Sequence, residues 1–304
     1  MDRPLRIGTR GSPLALAQAR MVAAALTRAH GWPDDAVALV PITTSGDVIQ
    51  DRPLAEIGGK ALWTKELDRA LLDGRTDLSV HSMKDVETIR PPALSIAAML
   101  PRADVRDRLI GCGSIALLPQ GARVGTSSPR RSAQLLRRRP DLEIVPFRGN
   151  VATRLKRIAD GEAEATLLAA AGLDRLGLSA GATIEVEAML PAPAQGAIGI
   201  EIRSDDEATQ ALAAAIDDAR THACVNAERR LLEALGGDCR SPVAALAIAE
   251  AEGIWLRGEL LTTDGAEAVA AEIRFAPGDE EAPARLAAAL LGDASPALQA
   301  LFAA

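Results

Sequence analysis

The segment Arg123-Val124-Gly125-Thr126-Ser127-Ser128-Pro129 echoes, with one residue fewer, the opening Arg6-Ile7-Gly8-Thr9-Arg10-Gly11-Ser12-Pro13, and Ala133-Gln134 echoes Ala17-Gln18. The first copy reads as a short strand, a loop and a helix start, with Ser12 placed to cap the helix and Pro13 at its first position. The echo reads as a weak internal repeat: two similar α/β lobes, each with a strand–turn–helix motif at its mouth. Chance similarity over so short a match is the alternative at this point. A helix N-terminus is an anion site through its free N–H groups and its dipole, so two facing mouths form a cleft for a dianionic or larger ligand.

The rest of the pattern fills in the lobes. A helix is predicted from Pro13 to about Arg28, with Leu16, Ala19, Ala23 and Leu26 inward. Val37 to Thr43 alternates as a strand. Thr44 to Lys60 is polar and glycine-bearing, and reads equally as a mobile active-site loop or a plain connection. Ala61 to Leu72 is helical, stopped by Gly74. Asp77 to Val80 is a buried strand leading into His81-Ser82-Met83-Lys84-Asp85-Val86, and Ser95 to Met99 is another strand. In the second block Glu143 to Phe147 and Ala165 to Ala169 are strands, and Val151 to about Asp160 is a helix. Ile198 to Ile202 is a strand that returns the chain to the first lobe. Beyond Arg220 come a helix through Leu235, three antiparallel strands and a final helix from Pro283, an α+β pattern. At 304 residues the chain suits two or three domains. The expected division is residues 1–100 with 196–219, residues 101–195, and residues 220–304.

Charge points to the client. The chain carries a formal charge of −7, yet ten basic residues lie between Arg123 and Arg157 against only Asp141 and Glu143. Arg130, Arg131 and Arg148 flank Gly/Ser/Thr turns, where backbone N–H groups and a guanidinium fork together grip a carboxylate or phosphate. Arg137, Arg138 and Arg139 read instead as a solvated helix face. Tyrosine is absent and there are three phenylalanines; the scarcity of stacking aromatics and a pI near 5.2 count against nucleic acid. Three cysteines without C-x-x-C spacing and three scattered histidines support neither a disulfide framework nor a metal site. No secretory pattern and no run of about 18 apolar residues is seen, so a cytoplasmic chain with no membrane partner is expected.

Four motifs in order, Val80-His81-Ser82-Met83-Lys84-Asp85-Val86, Gly125-Thr126-Ser127-Ser128-Pro129-Arg130-Arg131, Arg148-Gly149-Asn150-Val151-Ala152-Thr153-Arg154 and Gly236-Gly237-Asp238-Cys239-Arg240-Ser241-Pro242, resemble the porphobilinogen deaminase (hydroxymethylbilane synthase) family. The resemblance implies two lobes like type II periplasmic binding proteins plus a smaller α+β C-terminal domain. It also implies a monomeric transferase of porphyrin and heme biosynthesis. Four porphobilinogen units are joined head to tail with loss of ammonia, giving hydroxymethylbilane after a final hydrolysis. The chain is built on a dipyrromethane cofactor held by a thioether.

The resemblance places that thioether on Cys239 and catalysis on Asp85. Taken alone, Asp85 reads as a turn cap or a partner of Lys84, and Cys239 as a loop thiol; Cys112 and Cys224, in apolar settings, read as core. Cofactor carboxylates are implied to meet Arg10, Ser12, Lys84, Thr126, Ser128, Arg130, Arg131, Arg148 and Arg154. Substrate is implied to meet Arg10, Arg148, Arg154, Arg175, Gln195 and Lys60, with Gln195 either lining the cleft or serving a hinge. Each porphobilinogen carries an acetate and a propionate, so an arginine-lined site suits a growing polyacid. Trp63 and Pro129 stand where the family more often has phenylalanine and leucine.

Overall fold

The computed structural model describes residues 3–44, 61–237 and 241–302. It forms two compact units: Met1–Ala103 with Gly196–His222, and Asp104–Gln195 with Ala223–Ala304.

The first unit runs β1 (Leu5–Arg10), α1 (Pro13–His30), β2 (Val37–Ile42), α2 (Ala61–Leu72), β3 (Leu78–Ser82) and β4 (Leu94–Met99). The second opens with β5 (Asp107–Ile110), β6 (Arg123–Gly125), α3 (Pro129–Arg138), β7 (Glu143–Val145), α4 (Val151–Ala159), β8 (Ala165–Ala169), α5 (Ala170–Arg175) and β9 (Ala182–Ile184). The chain then returns to the first unit as β10 (Ile198–Arg203) and α6 (Glu207–Ala214). The unit boundary falls within α7 (Ala219–Ala234), after which β11 (Val243–Ala249), β12 (Ile254–Leu261), β13 (Ala268–Phe275), α8 (Ala282–Asp293) and α9 (Pro296–Gln299) complete the second unit.

The two large sheets are built to one plan. Their strand orders are β2-β1-β3-β10-β4 and β7-β6-β8-β5-β9. In each, the strand that precedes the echoed turn pairs in parallel with two neighbours, and the next strand along runs antiparallel. The short sequence echo therefore reflects a structural repeat, and the mixed α/β class expected from it holds. In both copies the turn ends on a serine cap and a proline in the first helical turn. Ser12 Oγ accepts the Ala15 N–H at 3.3 Å, and Gly31 closes α1 in the left-handed region at φ +64.

α1 packs on the first sheet through Ala19, Val22 and Leu26, against Ile7, Leu78 and Ile200. Its inward face differs from the expected one: Leu16 and Ala23 are half-buried, whereas Gln18 and Val22 are buried. A polar Gln18 is tolerated inside because its amide meets the Ser82 hydroxyl at 2.8 Å. β2 is half-buried along most of its length rather than alternating, because it lies at a sheet edge. The second unit has one core under its large sheet, with Leu109, Val124, Leu135 and Leu167, and another between the three-stranded sheet and helices α7 and α8, with Leu231, Leu256, Leu260, Leu286 and Leu290. β5 and β9 were not expected; at four and three residues they carry too little periodicity to read.

Candidate active site

In the first unit β1 and β3 are parallel neighbours, Gly8 facing Ser79. Their carboxyl ends therefore emerge side by side, where open α/β sheets hold ligands. Arg10 ends β1 and Ser12 caps α1; Lys84 and Asp85 lie in the 3₁₀ turn Met83–Asp85 directly after β3. The structure thus brings these four together at one end of one sheet. The Asp85 turn is fixed from below. The Met83 N–H donates to the Ala197 carbonyl at 3.1 Å, and the Val86 N–H to the Met83 carbonyl at 3.2 Å. The Met83 side chain is buried across β10, where a Cβ on Gly199 would collide with its sulfur. Asp85 itself is half-buried, and its carboxylate has no hydrogen-bond or ion-pair partner among the described residues. It neither caps the turn nor pairs with Lys84. A carboxylate held rigidly but left unsatisfied is available to a ligand.

In the second unit the parallel trio β6, β7 and β8 does the same. Thr126 and Ser128 follow β6, Arg148 follows β7, and α5, ending on Arg175, follows β8. Thr126 Oγ1 accepts the Ser128 N–H at 3.2 Å, and Ser127 Oγ donates to the Phe147 carbonyl at 3.0 Å, tying the two turns. Gly149, at φ +101, makes the bend that Asn150 then converts into α4, its Oδ1 accepting the Thr153 N–H at 2.9 Å. Arg154 turns back to the Gly149 carbonyl at 3.1 Å. Arg148 Nη1 is buried and has no hydrogen-bond partner among the described residues. Burial lowers Arg175 to about 10, against the opposing pull of Asp174.

Arg130 and Arg131 differ from their reading as loop-flanking residues. They occupy the first turn of α3, and their side chains point inward at 4% and 7% exposure. Both meet Asp107: Arg130 Nη2 at 2.8 Å, Arg131 Nη2 at 2.7 Å and Nε at 3.2 Å. Gln195 adds Nε2 to the same carboxylate at 2.9 Å. Burial alone would raise Asp107, but the two guanidinium groups hold it far below the usual carboxylate range. Arg130 is lowered chiefly by burial; Asp107 opposes that and the like charge of Arg131 adds to it. Arg137 and Arg138 are exposed as expected, whereas Arg139 binds Asp141 and three carbonyls, those of Ile115, Leu118 and Pro119.

Cys239 and Lys60 lie outside the described residues, as does the stretch 45–60 and the side chain of Trp63. Cys224 is buried in the core, and Cys112 is half-buried with its thiol on the Ser114 carbonyl. Sequence reasoning missed Asp107, Gln18, Arg90 and Glu201. The available signal was a carboxylate at a fully buried position of an otherwise apolar strand, as in Ile198-Gly199-Ile200-Glu201-Ile202.

Residues 5–211 match the family described as "Porphobilinogen deaminase, dipyromethane cofactor binding domain", and residues 222–292 match "Porphobilinogen deaminase, C-terminal domain". The chain is 58% identical over 309 residues to a porphobilinogen deaminase of Sphingopyxis alaskensis, covering 99% of this chain and 98% of the relative. It is 53% identical over 275 residues to one of Paracoccus denitrificans, covering 89% and 88%. Among solved structures, a periplasmic substrate-binding protein of an ABC transporter from Coxiella burnetii matches at 16% identity and a TM-score of 0.43, over 72% of this chain and 94% of that one. With family models spanning most of its length and relatives identical at more than half of the aligned positions, the chain belongs to the porphobilinogen deaminase family.

Proposed function

We propose that this chain joins four porphobilinogen units head to tail into hydroxymethylbilane, losing one ammonia per unit and releasing the product by hydrolysis. Each addition breaks the aminomethyl C–N bond of the substrate and forms a C–C bond, and the α-proton of the accepting ring balances the ammonia that leaves. The observation that carries the reading is the Asp85 carboxylate, fixed by its turn and partnerless among the described residues. Such a group holds a proton at a pyrrole N–H and offsets the positive charge that develops there.

The residues of the site fit a dipyrromethane bearing several carboxylates. Arg148 keeps a buried Nη1 without a partner among the described residues, and Arg130 and Arg131 present two cations to the single carboxylate of Asp107. We assign the carboxylates of the cofactor to Arg10, Ser12 and Lys84 of the first unit and to Thr126, Ser128, Arg130, Arg131, Arg148 and Arg154 of the second. Arg175, Gln195 and Lys60 are assigned to substrate, and Cys239 to the thioether. When bound, the dipyrromethane supplies the free α-carbon from which the chain grows. The division into three domains, the cytoplasmic location and the monomeric state belong to the same proposal. Among the described residues no helix is long and apolar enough to cross a membrane.

The intact mass of the purified protein tests this reading. A dipyrromethane adduct on the wild type that disappears in Cys239→Ala supports it. Protein that carries no pyrrole and acquires none from porphobilinogen overturns it.

A further inference from the structure

Behind the Asp85 turn lies a buried charge network that no role so far explains. Glu201 on β10 is fully buried, with Oε2 at 3.0 Å from His81 Nε2. Arg90 grips the same carboxylate with Nε at 2.7 Å and Nη2 at 3.1 Å. The guanidinium then reaches Asp68 on α2 at 2.5 Å and Glu87 at 2.7 Å, and Thr64 of α2 donates to that same Glu87 oxygen at 3.1 Å. One arginine, its side chain 7% exposed, therefore organises three carboxylates from three parts of the first unit.

The placement along the chain is informative. His81 precedes Asp85 by four residues; Glu87 and Arg90 follow it by two and five. The strand that enters the turn and the segment that leaves it are thus both tied to Glu201, while Met83 rests on Gly199 two residues earlier in β10. The ties from Glu201 end on the two segments that frame the turn, others run on to α2, and none reaches the Asp85 carboxylate. A buried ionic network is a weak source of net stability, since well-packed apolar residues commonly serve as well. Its distinctive contribution is fixed geometry, and a planar fork with several donors supplies that where a lysine cannot.

We propose that Arg90, acting with Glu201 and His81, is a positioning residue that fixes the Met83–Asp85 turn so that the Asp85 carboxylate meets the reacting ring. This rests on the assignment of Asp85 made above. Misplacing a catalytic group by about 1 Å costs on the order of 100-fold in rate. Arg90→Lys, which keeps the charge and loses the fork, is expected to lower kcat by about 10- to 100-fold. KM should stay within a few-fold, and the dipyrromethane adduct should remain visible by intact mass.

The control is Asp77→Asn. Asp77 directly precedes the opposite end of the same strand and holds Arg3 at 2.7 Å and Arg6 at 2.9 Å. Its loss should lower the melting temperature and leave kcat unchanged when assayed well below melting. If Arg90→Lys does not fold, Glu201→Gln, equal in size, gives the same readout. Either positioning variant overturns the proposal if it melts earlier yet keeps full kcat, or if only KM moves. Asp85→Asn, measured beside them, separates the failures. Full turnover in Asp85→Asn sinks the assignment of Asp85, whereas lost turnover there with full kcat in Arg90→Lys sinks only the positioning role.

Discussion

Replacing Asp107 by asparagine should destabilise the second unit far more than any surface charge change. The carboxylate is 1% exposed and accepts from Arg130, from Arg131 twice and from Gln195. Asparagine keeps the volume but leaves two buried guanidinium groups without their counter-charge. Removing one partner of a buried ion pair costs about 3–5 kcal/mol. With a urea dependence of roughly 1–3 kcal/mol per molar, the unfolding midpoint should fall by on the order of 2 M. Far-UV circular dichroism during urea unfolding reads the midpoint, and hydrogen exchange of peptides from α3 assigns the loss to this unit. The pH dependence has a definite sign. Asp107 in the folded chain lies below its unfolded value of about 3.9, so its contribution is fully present above that value. The gap between wild type and Asp107→Asn should therefore be constant from neutral pH to about 5 and shrink on further acidification. A midpoint shift below about 0.5 M, or a gap that widens in acid, would refute the claim that Asp107 neutralises this pair.

Arg148→Gln should behave in the opposite way. Its Nη1 has no internal partner among the described residues, so the urea midpoint should be almost unchanged while kcat/KM for porphobilinogen falls; a clear loss of stability with normal kinetics would contradict a ligand-binding role. Gly199→Ala places a methyl group against the Met83 sulfur. Overpacking of this kind costs about 1–3 kcal/mol, and the displaced Asp85 turn should lower kcat in steady-state assays; unchanged kcat would show that the turn tolerates the shift.

The legible features of this chain were those written locally. A serine, a proline and a preceding strand recur at Ser12-Pro13 and Ser128-Pro129, and the two sheets they open share one strand order. Glycine stops such as Gly74, at φ +67, were equally readable. What escaped was long-range. Arg130 and Arg131 turn inward because Asp107 sits on β5, more than twenty residues earlier, on a strand too short to show a period. Gln18 and Glu201 are buried against the expected polarity because Ser82, His81 and Arg90 meet them from other elements. The residues proposed for the site around Asp85 and around Arg148 were named chiefly from motif resemblance, and within each unit the parallel strands bring their own set to one sheet end. Cys239 and Lys60, named on the same ground, fall outside the described residues.

Turnover by Asp85→Asn, with its intact mass recorded on the same sample, bears most directly on the central claim that a fixed, unpartnered carboxylate handles the proton. Asparagine preserves the shape of the side chain and removes its charge. The account predicts protein that still carries dipyrromethane on Cys239 and whose turnover falls by at least about 100-fold, the lower range for a general acid–base group. Adduct-bearing Asp85→Asn that consumes porphobilinogen at a rate within a few-fold of wild type would contradict it.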